Sequence, residues 1–451
     1  MPHKPLPIAY LSLLAGLCAC GGSSTGPSSQ VPGDASAPHD ASQAADAFGS
    51  VDAPARDADA TAKEADVASP RDAFSTDVIT TDAAHADVSS TDAAEADAIS
   101  TDAGQGDALS TDAGSYRNPL LQPFATSSIW NMPIGSGAQY VAAMIKPVTG
   151  QALETDDENI VLDPTAPSLD VETNTSDWST TSSRCSPSSP LLFAAPIPAS
   201  FLVPDPLPAT PNSALAVLLA DARTLKQTQP FARCTAGQPA TSHYVFADED
   251  LYGDGTLGAH GGSGLSAIGG SLRLGELRPN VPPPRHALKL ELYAAENDYK
   301  APQAANCYRW PAVQCDSGYT NIYGGTNPAL GPGSLLALPA SVSVASLGLA
   351  TQPAQMLAWT LQNYGAYLVD DTGWSANAIC VENGPAGTFE AQFKTDWGFA
   401  INTSGVTGAF AQDMQKLLGA LAVVNNNGPT AIGGGGTPLQ PLAAPLPPPP
   451  G

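Results

Sequence analysis

Short runs of apolar residues, bounded by Gly, Pro or Asp, recur between residues 116 and 437. Runs of about four to eight such residues between turn-forming residues are typical of β-strands. The clearest predicted strands are residues 214–219, 224–229, 287–293, 334–338, 366–369 and 378–382. Because only four residues separate the first two, they are expected to form a β-hairpin.

A helical period, with apolar residues three or four apart, is present in two segments, residues 353–364 and 409–418. The first segment stops at Gly365, the residue type that most often ends a helix. Strand-like runs at 366–369 and 421–424 follow the two helices, as expected where helices cover a sheet. The pattern therefore predicts a mixed, β-dominant fold: a single large β-rich domain with a few covering helices and long loops, followed by a Pro-rich tail at 438–451.

The net charge of −25 is unevenly distributed along the chain. Residues 21–115 hold eighteen acidic residues and three basic ones, a charge of −15, whereas residues 116–451 hold twenty-five acidic and fourteen basic ones, a charge of −11. Neither part has the basic stripe that binding to phosphates needs. The charge pattern therefore argues against nucleic acid as a partner.

Residues 20–115 are rich in Ala, Asp, Ser and Thr and almost without aromatic residues. Such a segment cannot bury enough apolar surface to offset the entropy of ordering, so it is predicted to be a disordered, extended linker. A Thr-Asp pair recurs every ten residues from Thr81 to Asp112. Calcium binding along this repeat is the alternative, but the glycines of calcium-binding β-helix repeats are missing.

The first twenty residues resemble a bacterial lipoprotein signal: Lys4 precedes an apolar run at 8–17, and Ala19 precedes Cys20. The resemblance implies a signal peptide at 1–19 and a lipid on Cys20. It implies localisation in the cell envelope, at the outer membrane if the source is Gram-negative. An ordinary secretory peptide cut nearby is the alternative, and the apolar run is about half the ~20 residues of a membrane span.

Five cysteines follow the linker, and an exported protein meets oxidising conditions in which cysteines pair. Cys307 and Cys315 enclose a short loop and are the first expected disulfide, and Cys185 with Cys234 is the second. Cys380 lies in an apolar run and is expected to be buried and free. The sequence has no CxxC pair or HExxH motif, which argues against zinc.

Residues 242–278 combine two histidines, His243 and His260, with an acidic cluster that includes Asp250 and Asp254. Carboxylates beside a histidine can perform acid/base chemistry, so these four residues are the candidate catalytic residues, expected to line one cleft. Asp250 and Asp254 also match the first and fifth positions of a calcium loop, although Gly261 stands at the twelfth, where a Glu is needed. A solvated acidic turn is the alternative for the cluster.

The segment from His260 to Gly264, HGGSG, resembles the oxyanion-hole loop of esterases. A nucleophile elbow is absent, because Ile268 stands where its second Gly is needed, and this argues against a serine hydrolase. The glycines are expected to permit tight turns and the close approach of a ligand or of packing neighbours.

Two segments are candidates for binding a substrate. Arg273 lies where Leu and charged residues alternate, which predicts a half-buried strand over 272–278 with its charges outward. Tyr308, Arg309 and Trp310 lie beside the expected Cys307 disulfide; Trp and Tyr can stack on sugar faces and Arg can pair with carboxylates. A solvated strand face, and core packing of Trp310, are the alternatives.

Phrases along most of residues 118–438 resemble those of a family of exported bacterial proteins and lipoproteins without an established activity. The phrases are SIWNMPI from Ser128, QTQPFARC from Gln227, AHGGSGLS from Ala259, YRWPA from Tyr308 and YGAYLVDDT from Tyr364. The resemblance implies export and is silent on mechanism.

Taken together, these patterns favour a lipid-anchored surface protein that binds, and in the enzymatic interpretation cleaves, extracellular polysaccharide as a hydrolase or lyase. An anchored β-rich domain with clustered carboxylates, aromatic rims and no nucleotide motif is typical of that class. Extracellular glycan and the membrane are the expected partners, and calcium is the one cofactor that the pattern allows. The alternative is a non-catalytic adhesive or structural module.

Overall fold

A mixed sheet of twelve strands runs through residues 116–451, the part of the chain that the computed structural model describes. The expected signal peptide, Cys20 and the acidic linker lie outside the described residues. The described residues contain sixteen strands in all, twelve of which form this sheet. In chain order they are β1 (Tyr140–Ala142), β2 (Gln151–Val161), β3 (Ser168–Thr173), β4 (Ser188–Pro196), β5 (Leu215–Leu218), β6 (Thr224–Gln229), β7 (Ala240–Ser242), β8 (Tyr244–Val245), β9 (Glu249–Asp250), β10 (Leu257–His260), β11 (Leu288–Tyr293), β12 (Leu335–Ala337), β13 (Ala366–Thr372), β14 (Ala376–Gly384), β15 (Gly387–Thr388) and β16 (Ala422–Val424).

The strand order of the large sheet is β1-β16-β12-β13-β11-β14-β2-β5-β6-β8, with β15 on β14 and β9 on β6. At its centre β11 is parallel to β13 and antiparallel to β14, and β14 is parallel to β2. A smaller sheet has the order β4-β3-β7. The centre of the large sheet thus pairs strands from distant parts of the chain.

Four α-helices accompany the sheets in the described residues: α1 (Tyr319–Ile322), α2 (Gln352–Asn363), α3 (Phe389–Trp397) and α4 (Ala409–Gly419). Helix α3 begins where the Thr388 hydroxyl accepts a hydrogen bond from Ala391 N, and it ends at Gly398 in the left-handed region (φ 76°). None of the helices in residues 116–451 is long and apolar enough to cross a bilayer.

The two faces of β11 differ because its residues alternate. Leu288, Leu290 and Leu292 belong to an apolar core that also contains buried residues of α2, α3 and α4. Lys289 and Glu291 therefore point to the opposite face, where a second core surrounds Trp130 and Tyr367. The alternation LKLEL thus places charged side chains on the face that the helices leave uncovered.

The predicted β-dominant mixed fold is confirmed, and the six clearest predicted strands and both predicted helices each overlap an observed element. The two disulfides join Cys185 to Cys234 and Cys307 to Cys315, and Cys380 is a buried free thiol. The Pro-rich tail contacts the start of the domain, where Arg117 N donates to Pro445 O.

The strand predicted over 272–278 is wrong. Leu272 forms only an isolated bridge with Val381, and the chain then turns. Arg273 is buried rather than directed outward, because its Nε donates to the Glu382 carboxylate at 2.8 Å. That ion pair folds the segment against β14 instead of extending it as a strand.

Candidate functional site

Seven polar side chains meet on the uncovered face of the large sheet. We call them the central cluster: Asp156, Glu158, His260, Lys289, Glu291, Asp370 and Cys380. Each is buried except Asp156, whose side chain is 12% exposed. They are brought together by strand pairing, in which Cys380 of β14 lies opposite Asp156 of β2 and Glu291 of β11 lies opposite Ala378.

A β-bulge brings Asp370 into this cluster. Leu290 pairs with Leu368, but the next residue, Glu291, pairs with Asp370, so Val369 is an extra residue in β13. A bulge of this kind changes the direction in which the following side chain points. It places Asp370 beside Glu291 on the face of the cluster.

His260, the last residue of β10, lies at the middle of the cluster and is 1% exposed. Its Nε2 atom lies 3.2 Å from Glu158 Oε1 and 3.6 Å from both Asp156 Oδ2 and Glu291 Oε1. Its Nδ1 atom lies 3.3 Å from Asp370 Oδ2. The imidazole ring therefore separates Asp370 from the other carboxyl groups.

The glycines after His260 allow this close packing. A Cβ atom on Gly262 would lie 2.3 Å from Asp370 Oδ1, and one on Gly261 would lie 2.8 Å from Gln229 Nε2. Gln314 Nε2 donates to the carbonyl oxygen of Gly261 at 2.6 Å. The HGG sequence is thus explained by packing against Asp370, as the close-approach interpretation of these glycines expects.

Asp156 and Glu291 bring one carboxyl oxygen each within 4.8 Å of each other. Burial and the charges of Asp156 and Asp370 raise the pKa of Glu291 well above its ordinary value. Burial and the charge of Glu158 raise the pKa of Asp156, against the opposing effect of His260. Both carboxyl groups therefore hold a proton to a higher pH than an ordinary Asp or Glu does.

Lys289 neutralises the deepest carboxylate of the cluster. Its ammonium group donates to Glu158 and to the carbonyl oxygens of Ser266 (3.1 Å) and Ala267 (2.8 Å), and both charged side chains are fully buried. Burial and Lys289 lower the pKa of His260, but the charge of Glu158 and the hydrogen bonds of Asp370 and Glu158 outweigh them and raise it to about 9. His260 is therefore an imidazolium at neutral pH.

A second group of acids adjoins the central cluster. The distal acidic cluster consists of Asp298, Asp316, Asp370 and Asp371, and it shares Asp370 with the central cluster. Carboxylate oxygens of Asp316, Asp370 and Asp371 lie within 4.8 Å of one another. In the central cluster, one ligand atom each of Asp156, His260, Glu291 and Cys380 lies within 4.8 Å of the others. The described residues thus contain two groups that could hold a metal ion.

Polar and aromatic side chains surround the site at the surface. Trp374 is 58% exposed, and its indole N–H lies 3.0 Å from Glu154 Oε1, two residues before Asp156 on the same strand. Asn212 Nδ2 donates to Asp370 Oδ2 at 3.0 Å. An open depression of about 440 Å³ lies beside Asp316 and is lined in part by Tyr308.

Of the four candidate catalytic residues, only His260 lies in the central cluster. His243 Nδ1 lies 2.7 Å from the carbonyl oxygen of Asn174 and 3.4 Å from Asp177. The Asp250 carboxylate is held by Arg223 at 2.7 Å on the surface. Asp254 Oδ1 accepts from Thr256 N. The polar contacts of His260 within residues 116–451 include none of the other three, so the structure does not bring them together.

The candidate substrate-binding residues are also dispersed. Arg273 is engaged by Glu382, and Arg309 Nη2 donates to the carbonyl oxygen of Asn425 at 3.0 Å. Trp310 packs against the second core, as its core-packing alternative expects. Of the four candidate substrate-binding residues, only Tyr308 is among the residues that line the depression beside Asp316. The calcium-loop interpretation of Asp250 is weakened, because the Asp250 carboxylate already pairs with Arg223.

Sequence reasoning missed most of the central cluster: Asp156, Glu158, Lys289 and Glu291. The signal that could have found them is a charged residue at alternate positions of an otherwise apolar strand, as in Lys289 and Glu291 of β11. An exposed strand face explains such a pattern in an edge strand, but β11 has a neighbour on each side.

Comparisons of the chain with family models, with curated proteins and with solved structures found no match. The resemblance to a family of exported bacterial proteins therefore stays a prediction. The functional argument for this chain starts from the geometry of the central cluster.

Proposed function

We propose that this chain is a lipid-anchored surface enzyme that binds and cleaves extracellular polysaccharide at the central cluster. The observation that supports it is the close pair of carboxyl groups of Asp156 and Glu291, with a further carboxylate, Asp370, 3.3 Å from the Nδ1 atom of His260. Cleavage of a glycosidic bond uses one protonated carboxyl group and one ionised carboxylate on opposite sides of the bond. The cluster contains both forms.

In this mechanism Glu291 donates its proton to the glycosidic oxygen while the bond from that oxygen to the sugar carbon breaks. The Asp370 carboxylate takes a proton from the water that adds to the same carbon. One water is consumed for each bond, and solvent returns the proton from Asp370 to Glu291. The His260 imidazolium lies 3.3 Å from Asp370 and faces that carboxylate.

Side chains at the surface supply contacts for a sugar chain. Trp374 offers an exposed indole face beside Glu154, and aromatic faces stack on the apolar faces of sugar rings. Asn212 and Gln314 are amides beside Asp370 and Gly261 that can bond to hydroxyl groups.

The predicted lipid on Cys20 and the acidic linker fit a substrate outside the cell. The lipid would attach the chain to a membrane surface, and the linker would act as a tether that keeps the domain at a distance from that surface. Calcium is the cofactor that we propose, since acidic groups provide the oxygen ligands that it prefers.

A non-catalytic surface module is the second candidate, and the burial of the cluster favours it. Glu158 and Lys289 are fully buried, and the side chains of Glu291 and Asp370 are only 6% and 7% exposed. A satisfied polar network can serve only to specify how strands pair. Under this alternative Trp374 would bind glycan without cleavage.

The deciding experiment is a screen of the purified full chain against neutral and acidic polysaccharides. New reducing ends measure hydrolysis, and ultraviolet absorbance of an unsaturated product measures a lyase reaction. With a substrate found, Glu291→Gln and Asp370→Asn should each lower turnover at least ~100-fold, the usual contribution of a positioned acid or base.

Asp254→Asn is the matched control, because this carboxylate lies outside the central cluster. Binding of glycan without new ends would favour the non-catalytic module. Wild-type turnover in folded Glu291→Gln and Asp370→Asn would remove the central cluster from catalysis.

A further inference from the structure

The distal acidic cluster collects carboxylates from three segments of the chain. Asp298 follows β11 in a turn whose backbone is closed by the bond from Asp298 N to Ala294 O. Asp316 directly follows Cys315, next to the loop that the disulfide with Cys307 closes. Asp371 is near the end of β13. The cluster therefore joins a turn, a cross-linked loop and a central strand.

The buried side chain of Asp298 points to a ligand at this cluster. Its side chain is 0% exposed, and neither of its two carboxylate oxygens has a hydrogen-bond partner among the described residues. The charges acting on it come from Asp371, Asp316 and Asp370, and all of them are negative. A buried carboxylate without a partner is costly, so such groups are paired, protonated or bound to a cation.

We propose that the distal acidic cluster binds a calcium ion, with Asp316, Asp370 and Asp371 as ligands and Asp298 adding its charge from the buried side. The three ligand residues offer oxygens within 4.8 Å of one another, a spacing that one ion can bridge. The set contains no nitrogen or sulfur ligand, which favours a hard cation over a transition metal. Calcium suits ligands from separate segments better than magnesium, because it tolerates irregular coordination.

The ion would tie the Cys307–Cys315 loop to β13. It would also hold Asp370 beside His260, since Asp370 belongs to both clusters. The inference shares the choice of calcium and the residue Asp370 with the proposed function. Binding of the ion is measured without any polysaccharide, so the two proposals can fail separately.

The test is calorimetric titration of the full chain with CaCl₂ after a chelator has removed bound metal. The wild type should show one tight site above the weak binding of the acidic linker, and saturating calcium should raise its Tm by at least about 3 °C. Asp316→Asn and Asp371→Asn should each weaken this site at least 10-fold, since each removes a ligand charge at nearly constant volume. Asp298→Asn should weaken it as well.

Asp254→Asn is the control, because it alters the acidic turn that matches part of a calcium loop in the sequence and leaves the distal acidic cluster intact. Its affinity should equal that of the wild type. The proposal is overturned if the wild type has no tight site, if Asp254→Asn removes it, or if Asp316→Asn and Asp371→Asn keep it. Unchanged affinity in Asp298→Asn shows that Asp298 is simply protonated and overturns its role in the proposed site. Tighter binding of MgCl₂ overturns the choice of calcium.

Discussion

The Oδ2 atom of Asp370 lies 3.3 Å from the Nδ1 atom of His260. This contact joins the central cluster to the distal acidic cluster, because a carboxylate oxygen of Asp370 also lies within 4.8 Å of oxygens of Asp316 and Asp371. It depends on the bulge at Val369 and on the glycines after His260, which let the two backbones approach. A substitution in either cluster is therefore expected to affect the other cluster.

The first prediction concerns the buried ion pair of Lys289 and Glu158. Lys289→Met should lower the free energy of unfolding by about 3–5 kcal/mol, because it removes the ammonium partner of the fully buried Glu158 and leaves that carboxylate with His260 as its remaining cationic neighbour. Urea denaturation measures the loss. The double variant Lys289→Met with Glu158→Met should recover part of it, since no charge is then left unpaired. A double variant less stable than Lys289→Met alone would contradict this account of the pair.

The second prediction concerns Gly262. Gly262→Ala places a Cβ atom 2.3 Å from Asp370 Oδ1 and 3.2 Å from its Cα, so the backbone or Asp370 must move. We expect a loss of about 1–3 kcal/mol in the free energy of unfolding, as for other overpacked sites. Gly373→Ala is the matched control, because a Cβ atom there meets nothing within 4 Å. Equal melting temperatures for the two variants would show that Asp370 is not held by this contact.

Comparison of β11 with β2 shows how far the sequence predicts the site. The apolar residues of β11 are regular enough to predict its strand, but its charges could be assigned to a cluster only once its neighbours were known. Strand β2 was missed because six successive polar residues from Glu154 to Asn159 interrupt its apolar pattern. Its partner β14 lies more than two hundred residues away. Non-local pairing of this kind leaves no local signal.

The prediction that His243, Asp250, Asp254 and His260 line one cleft was wrong for a related physical reason. His243 and His260 are close in sequence, but His243 faces Asn174 whereas β10 directs His260 toward the large sheet. The acidic turn around Asp250 was attractive because its residues are clustered, yet Arg223, in the turn just before the neighbouring strand β6, pairs with the Asp250 carboxylate. The cysteine pairs were easier to predict, because few alternatives exist among five cysteines.

The third prediction concerns the membrane anchor. Cys20→Ser should release the chain from the membrane fraction, because the predicted lipid on Cys20 is the only anchor that the sequence indicates. Cys18→Ser is the matched control and should stay in the membrane fraction, as bulky Leu17 makes Cys18 a poor lipidation site. Fractionation followed by immunoblotting measures both. Retention of Cys20→Ser in membranes would exclude the lipoprotein interpretation.

The fourth prediction concerns pH and rests on the pair of the buried His286 and the partly exposed Glu276, whose Nε2 and Oε2 atoms are 3.1 Å apart. Burial and Arg273 lower the pKa of His286, but the charge and hydrogen bond of Glu276 and the carbonyl of Ala287 raise it above 6.5. Burial raises the pKa of Glu276, but His286 and Arg273 lower it below 4.5. Both groups are thus charged together in the folded chain over a wider pH range than in the unfolded chain.

The raised pKa of His286 gives stability that is complete below about pH 6.5 and is lost as the pH rises through the folded pKa. The lowered pKa of Glu276 gives stability that is complete above about pH 4.5 and is lost as the pH falls through its folded pKa. His286→Gln should therefore cost most between these values, about 1–3 kcal/mol, and less at pH 9. Urea denaturation at pH 5.5 and pH 9 measures the difference, and an equal loss at both would show that the charge of His286 does not stabilise the fold.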